Sequence, residues 1–174
     1  MSLLPNLGSI GSGVSDVYSG VATTSLRFNR ADSPELSYTP SANAAGRKTY
    51  TLSVWVKLGF QFDQYRAIFG AGGGGNRDRL QVMNNQTLVF NINDGTDASL
   101  TTNALLRDAS AWYHIVAMLD TEQATDTNRM KLYVNGTEAT YSATTYPDED
   151  YEGRIATNIE HFIGNSSADN LYFD

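Results

Sequence analysis

The sequence predicts an all-β fold, an antiparallel β-sandwich of jelly-roll type preceded by an irregular N-terminal arm. Three observations predict it. Short apolar runs alternate with a period of two, turn residues separate these runs at close intervals, and helical periodicity is almost absent.

The elements follow in chain order. Residues 1–22 are rich in glycine and serine, with Leu3, Leu4, Leu7, Ile10, Val14 and Val17 among the few apolar anchors. Such a composition reads as a flexible or loosely docked arm, or as a tether that orders on joining a larger assembly. The sandwich itself is assigned to residues 23–174. Residues 50–58 (YTLSVWVKL) alternate cleanly, with Tyr50, Leu52, Val54, Val56 and Leu58 on one face and Thr51, Ser53, Trp55 and Lys57 on the other. Residues 87–93 repeat the pattern with Leu88, Phe90 and Ile92 inward, and residues 129–135 do so with Met130, Leu132 and Val134. Residues 112–119 are nearly continuous in bulky apolar side chains, which predicts a central strand covered on both faces. Weaker strands are predicted at 25–29, 35–38, 66–70, 79–83, 97–102, 137–142 and 159–163. Asn135-Gly136 marks a two-residue hairpin, because a type I′ turn needs positive φ at both central positions. Residues 104–109 fit one helical turn, and the oligoglycine at 70–75 reads as a flexible loop.

Composition narrows the function. At 174 residues, with 41% hydrophobic and 18% charged, the chain can bury a real core. A net charge of −7 and scattered basic residues argue against a nucleic-acid partner, which needs a Lys/Arg stripe to displace counterions. The absence of cysteine excludes disulfides and thiol chemistry within these residues. No apolar run approaches the ~20 residues of a membrane helix, so membrane insertion is not expected. The start of the sequence lacks the basic and apolar regions of a signal peptide.

No catalytic constellation emerges. The oligoglycine lacks the Gly-Lys-Ser/Thr ending of a phosphate loop. His114 and His161 are the only histidines, and neither has a nearby ligand partner of metal-site spacing; His114, within its strand, reads as structural. The main strands contain no Glu and no interior Asp, so the paired carboxylates of a glycosidase are not found. The loop at 146–151 (YPDEDY) interleaves aromatic and acidic residues. Aromatic faces stack on sugar rings and carboxylates hold hydroxyls, which makes Tyr146, Asp148, Asp150 and Tyr151 candidate ligand-binding residues; the plainer reading is a solvated loop. The ten tyrosines and Trp55, placed opposite its strand's core row, suit an interaction surface.

Five segments together carry a resemblance. Leu26-Arg-Phe28 precedes the strand at 50–57, and WYHIVA at 112–117 precedes LYVNG at 132–136, with FIGN at 162–165 later. This order resembles the laminin G-like, concanavalin A-like jelly-roll superfamily over about residues 24–174. The long Thr/Asn/Ala-rich loop after Asp120 is similar to that of modules in structural proteins of tailed bacteriophages. The resemblance implies a non-catalytic virion component, either a tail fibre or spike that attaches to host-surface glycans or a capsid or tail decoration protein. It also implies other virion proteins as partners of the arm, a homo-oligomer (a trimer if the module belongs to a fibre), and calcium in the 94–97 turn, held by Asp94 and Asp97. Such domains add one more strand after the FIGN segment. Here residues 171–174 (LYFD) supply only its beginning, so the expectation is a longer polypeptide or an edge completed by a partner strand.

Overall fold

The computed structural model describes residues 25–60, 64–73, 75–93, 96–166 and 172–173. The predicted arm at 1–22 lies outside them. The strands are β1 (Leu36–Tyr38), β2 (Thr49–Lys57), β3 (Arg66–Gly73), β4 (Asn76–Val82), β5 (Thr87–Ile92), β6 (Ala98–Leu105), β7 (Trp112–Asp120), β8 (Met130–Val134), β9 (Thr137–Glu138), β10 (Tyr141–Thr145) and β11 (His161–Ile163). They form two antiparallel sheets, one ordered β1-β11-β3-β4-β5-β6-β10 and the other β2-β7-β8-β9. The predicted sandwich is the observed fold.

The core forms where the two alternating patterns face each other. Leu80, Val82, Leu88, Phe90, Ile92 and Leu100 from the larger sheet meet Ile115, Ala117, Leu119, Met130 and Leu132 from the smaller. Tyr50, Leu52 and Val54 pack against this cluster, and the Tyr50 ring meets Phe90 edge-on at 6.4 Å and 74°. The inward rows predicted for β2, β5 and β8 are therefore the ones observed. The Asn135-Gly136 turn joins β8 to β9 with φ of 52° and 80°, the two positive values a type I′ hairpin demands.

Several expectations are corrected. Residues 25–29 form no strand, and 137–142 divides into β9 and the start of β10. Residues 104–109 make no helical turn, because β6 continues to Leu105 and a simple turn follows. As far as Gly73 the oligoglycine is strand and not a loose loop. Gly70 and Ala71 lie inside β3, paired on one side with Phe162 and His161 of β11 and on the other with Arg79 and Asp78 of β4. Ladders on both sides hold the backbone extended despite its small side chains.

The predicted burial of two strands is exchanged. β7 is covered on one face only: Tyr113, Ile115, Ala117 and Leu119 are buried, whereas Trp112 is exposed and His114, Val116 and Met118 are half-buried. β5, which reads as one-sided, is buried at every residue. The smaller sheet thus turns an open outer face to solvent, and that face positions the candidate site.

Candidate functional site

The outer face of the smaller sheet displays both tryptophans of the chain. On β2 the side chains opposite the core row are Thr51, Ser53, Trp55 and Lys57, and on β7 they are Trp112, His114, Val116 and Met118. The register sets Trp55 directly across from His114, and Lys57 across from Trp112. Trp112 is therefore the diagonal neighbour of Trp55, within reach of large side chains. On β8, Tyr133 lies across from Val116 and so diagonal to His114. An aromatic strip results, crossing three strands.

Its centre is ordered. The Trp55 and His114 rings stack with centroids 4.8 Å apart and planes 17° from parallel. Nε2 of His114 shares a 3.0 Å hydrogen bond with the Ser53 hydroxyl, and the His114 backbone N–H donates to Asn135 Oδ1 at 2.9 Å. One face of the indole rests on imidazole, yet Trp55 remains 61% exposed and Trp112 49% exposed. Burial would be the ordinary fate of such area. Lys57 and Lys131 flank the strip, the latter 3.4 Å from Glu138. Planar apolar faces bordered by donors and acceptors are what the C–H face and hydroxyl rim of a sugar ring require. From the sequence His114 reads as structural, and its register places it against Trp55. Tyr133 and Trp112 gave no signal alone, since only the register brings them beside Trp55.

The loop at 146–151 is differently used. Tyr146 and Tyr151 pack against the core cluster. The Tyr151 hydroxyl donates to Asp97 Oδ2 at 2.7 Å, and burial, with that carboxylate as acceptor, raises its pKa well above the usual tyrosine range. Asp150 pairs with Lys48 at 2.9 Å, while its backbone N–H donates to the Thr121 carbonyl. The adjacent Glu149 pairs with Arg129 at 3.4 Å and Glu152 with Arg47. Asp148 is exposed. The loop is held by ion pairs, and its tyrosine rings serve the core and Asp97 rather than an open stacking face.

Of the calcium candidates, Asp94 lies outside the described residues and Asp97 accepts from Tyr151. Among the described residues no three His, Asp or Glu side chains converge as a metal centre requires. Asp78 on β4 is a buried carboxylate the sequence reading did not single out. Its Oδ1 accepts the Asn93 N–H at 3.1 Å, and its Oδ2 accepts those of Arg154 at 2.6 Å and Ile155 at 3.3 Å. Burial raises its pKa, and these three hydrogen bonds oppose the rise. It is a clasp between Asn93 and the 154–155 backbone, with both oxygens engaged.

An apolar cleft of about 370 Å³ lies at the β1 end of the larger sheet, lined by Leu36, Tyr38, Phe69, Phe162 and His161 among others. Both nitrogens of His161 are committed there: Nε2 accepts from Ala156 N–H, and Nδ1 faces the Ile159 carbonyl.

Comparison with known proteins agrees with the architecture. A search of curated sequences finds no match. Among solved structures, the chain is similar to the carbohydrate-binding module CBM40 of the Ruminococcus gnavus IT-sialidase, bound to α2,6-sialyllactose. The TM-score is 0.53 at 14% identity, over 81% of this chain and 86% of that one. It is also similar to domains LG4-5 of the mouse laminin α1 chain, with TM-score 0.51 and 13% identity, over 78% of this chain. It spans 32% of that laminin chain. At these identities the likeness is one of fold. A sequence model of the family Laminin_G_3 matches residues 32–174, and the chain belongs to that family, within the concanavalin A-like lectin/glucanases superfamily.

Proposed function

We propose that the chain is a non-catalytic glycan-binding module that uses the outer face of the β2-β7-β8-β9 sheet. The observation that carries this is the display of both tryptophans on one open face, with Trp55 held flat by His114. Trp55 and Trp112 offer the stacking faces. Lys57, Ser53 and His114 offer donors and acceptors for hydroxyls or a sugar carboxylate. The sialyllactose on the neighbouring CBM40 structure supports the class of ligand without locating the site.

The superfamily includes glucanases. A non-catalytic reading is supported by Asp78, the buried strand carboxylate, whose oxygens are both engaged by backbone N–H groups and which is 0% exposed. Such a group has no oxygen to offer a glycosidic bond. The setting proposed is a tailed-phage virion, in which the module attaches the particle to host-surface glycans. Support for it is the similarity of the Thr/Asn/Ala-rich loop after Asp120 to that of phage structural modules.

The test is binding to a glycan array and to host-cell envelopes, with and without a calcium chelator, using the native protein and its Trp55→Ala and Trp112→Ala variants. Saturable binding lost in both variants supports the reading, and loss on chelation would add calcium at the 94–97 turn. Absence of binding under every condition overturns it in favour of a decoration or scaffold role.

A further inference from the structure

A single terminal sugar is held best in a concave pocket whose polar groups converge on one ring. The outer face of the smaller sheet is laid out differently. Trp112, His114 and Val116 follow one another along the outward row of β7, and Tyr133 on β8 stands across from Val116. At ~3.3 Å per residue and ~4.8 Å between strands, Trp112 and Tyr133 lie ~14 Å apart at the backbone, on a diagonal that passes beside His114. One sugar ring cannot reach from end to end. Between the two ends the side chains are low, because His114 and Val116 are half-buried. Trp55 stacks on His114 from the β2 side and borders the middle of the diagonal.

The polar groups are spread along the same line. Lys57 lies across from Trp112 at one end. The Ser53 hydroxyl and His114 Nε2 share their hydrogen bond at the middle. Glu138, across from Tyr133, pairs with Lys131 at the other end. Each station thus joins an aromatic side chain to a group that can bind a hydroxyl. Trp112 and Glu138, at the two ends, are both exposed.

Resting on the glycan reading of this face, we infer that it takes an extended run of about three sugar residues along the Trp112–Tyr133 diagonal, with Tyr133 as the far binding residue. The first ring packs on Trp112 beside Lys57. The second lies over His114 and Val116 against Trp55, and the third reaches the Tyr133 phenol. Aromatic side chains give a large contact area with few rotors to fix, so each added ring adds affinity until the diagonal is filled. With both ends exposed, the run can belong to the interior of a longer polymer.

The test is calorimetric titration with oligosaccharide ladders of one to six residues, made of β1,4-linked N-acetylglucosamine, β1,4-linked glucose or α2,8-linked sialic acid. Native protein, Trp55→Ala, Tyr133→Ala and Tyr133→Phe are compared, each checked by circular dichroism. The expected result with at least one ladder is an affinity that climbs about tenfold from one residue to three and less than about twofold beyond four. Tyr133→Ala should remove that gain at three residues and longer while leaving the disaccharide unaffected. Tyr133→Phe should keep most of it. Should Tyr133→Ala not fold, magnetisation transfer from the Tyr133 ring to the trisaccharide, and not to the monosaccharide, decides the matter. Equal affinity for one residue and three, capture of branched or terminal glycans with no ladder bound, or a Tyr133→Ala variant that weakens all lengths alike or none would overturn the inference. With binding still lost in Trp55→Ala, those outcomes leave the glycan reading in place, whereas binding of no glycan at all overturns both.

Discussion

The Trp55 indole lies on the His114 imidazole, 4.8 Å between centroids and 17° from parallel, on a sheet face that solvent reaches. Trp55→Ala removes mostly exposed area, so unfolding free energy should fall by only about 0.5–1 kcal/mol, the scale of one aromatic pair. Glycan affinity should fall at least tenfold. Denaturant unfolding and a binding isotherm on the same samples separate these effects.

His114 acts as the support for Trp55. His114→Phe keeps a flat ring under the indole and should retain most of the affinity, whereas His114→Ala should lose several-fold. Calorimetric titration of both variants checks the order. Equal loss in both would place the imidazole in direct contact with the ligand.

Asp78 makes stability depend on pH. Its folded pKa is raised, chiefly by burial, so its stabilising contribution is fully present below the unfolded value near 3.8 and is lost as pH rises through the raised folded value. Asp78→Asn should abolish that slope. It should also cost about 1–3 kcal/mol, because an amide nitrogen must face a backbone N–H on one side. Urea unfolding across mildly acidic pH measures both.

Gly164 has φ of 82°, and a Cβ there would run into the Phe28 ring. Phe28 meets Phe173 edge-on at 6.3 Å, and the Phe173 N–H donates to the Gly164 carbonyl at 2.7 Å. Gly164→Ala combines a left-handed backbone with overpacking and should cost about 2–3 kcal/mol, read as a lower thermal midpoint.

Much of this fold was legible because its strands are one-sided. The inward rows of β2, β5 and β8 follow from alternation alone, as does the turn at Asn135-Gly136. Alternation cannot say what covers the other face. β7 carries apolar residues on both sides and looks central, yet its Trp112 and Val116 belong to an open face. β5 presents Thr87 and Asn91 outward, and these are nonetheless buried. The candidate site was half legible for the same reason. Trp55 stood out on its strand, but its neighbours Trp112, His114 and Tyr133 are remote in sequence and meet it only through strand register. The aromatic and acidic loop at 146–151 reads as open in sequence, since nothing local reveals that Lys48, Arg129 and Asp97 pair with its Asp150, Glu149 and Tyr151.

The proposed glycan site is the outer face of the smaller sheet. Both tryptophans of the chain lie there, so their two indole N–H resonances report on that face and on no other. The most direct measurement is a titration of the isotopically labelled protein with a glycan it captures, following those two signals. With glycan on this face, both shift and saturate together with the binding isotherm, while the tyrosine signals of the 146–151 loop stay in place. Saturable binding with both indole signals unmoved would contradict it.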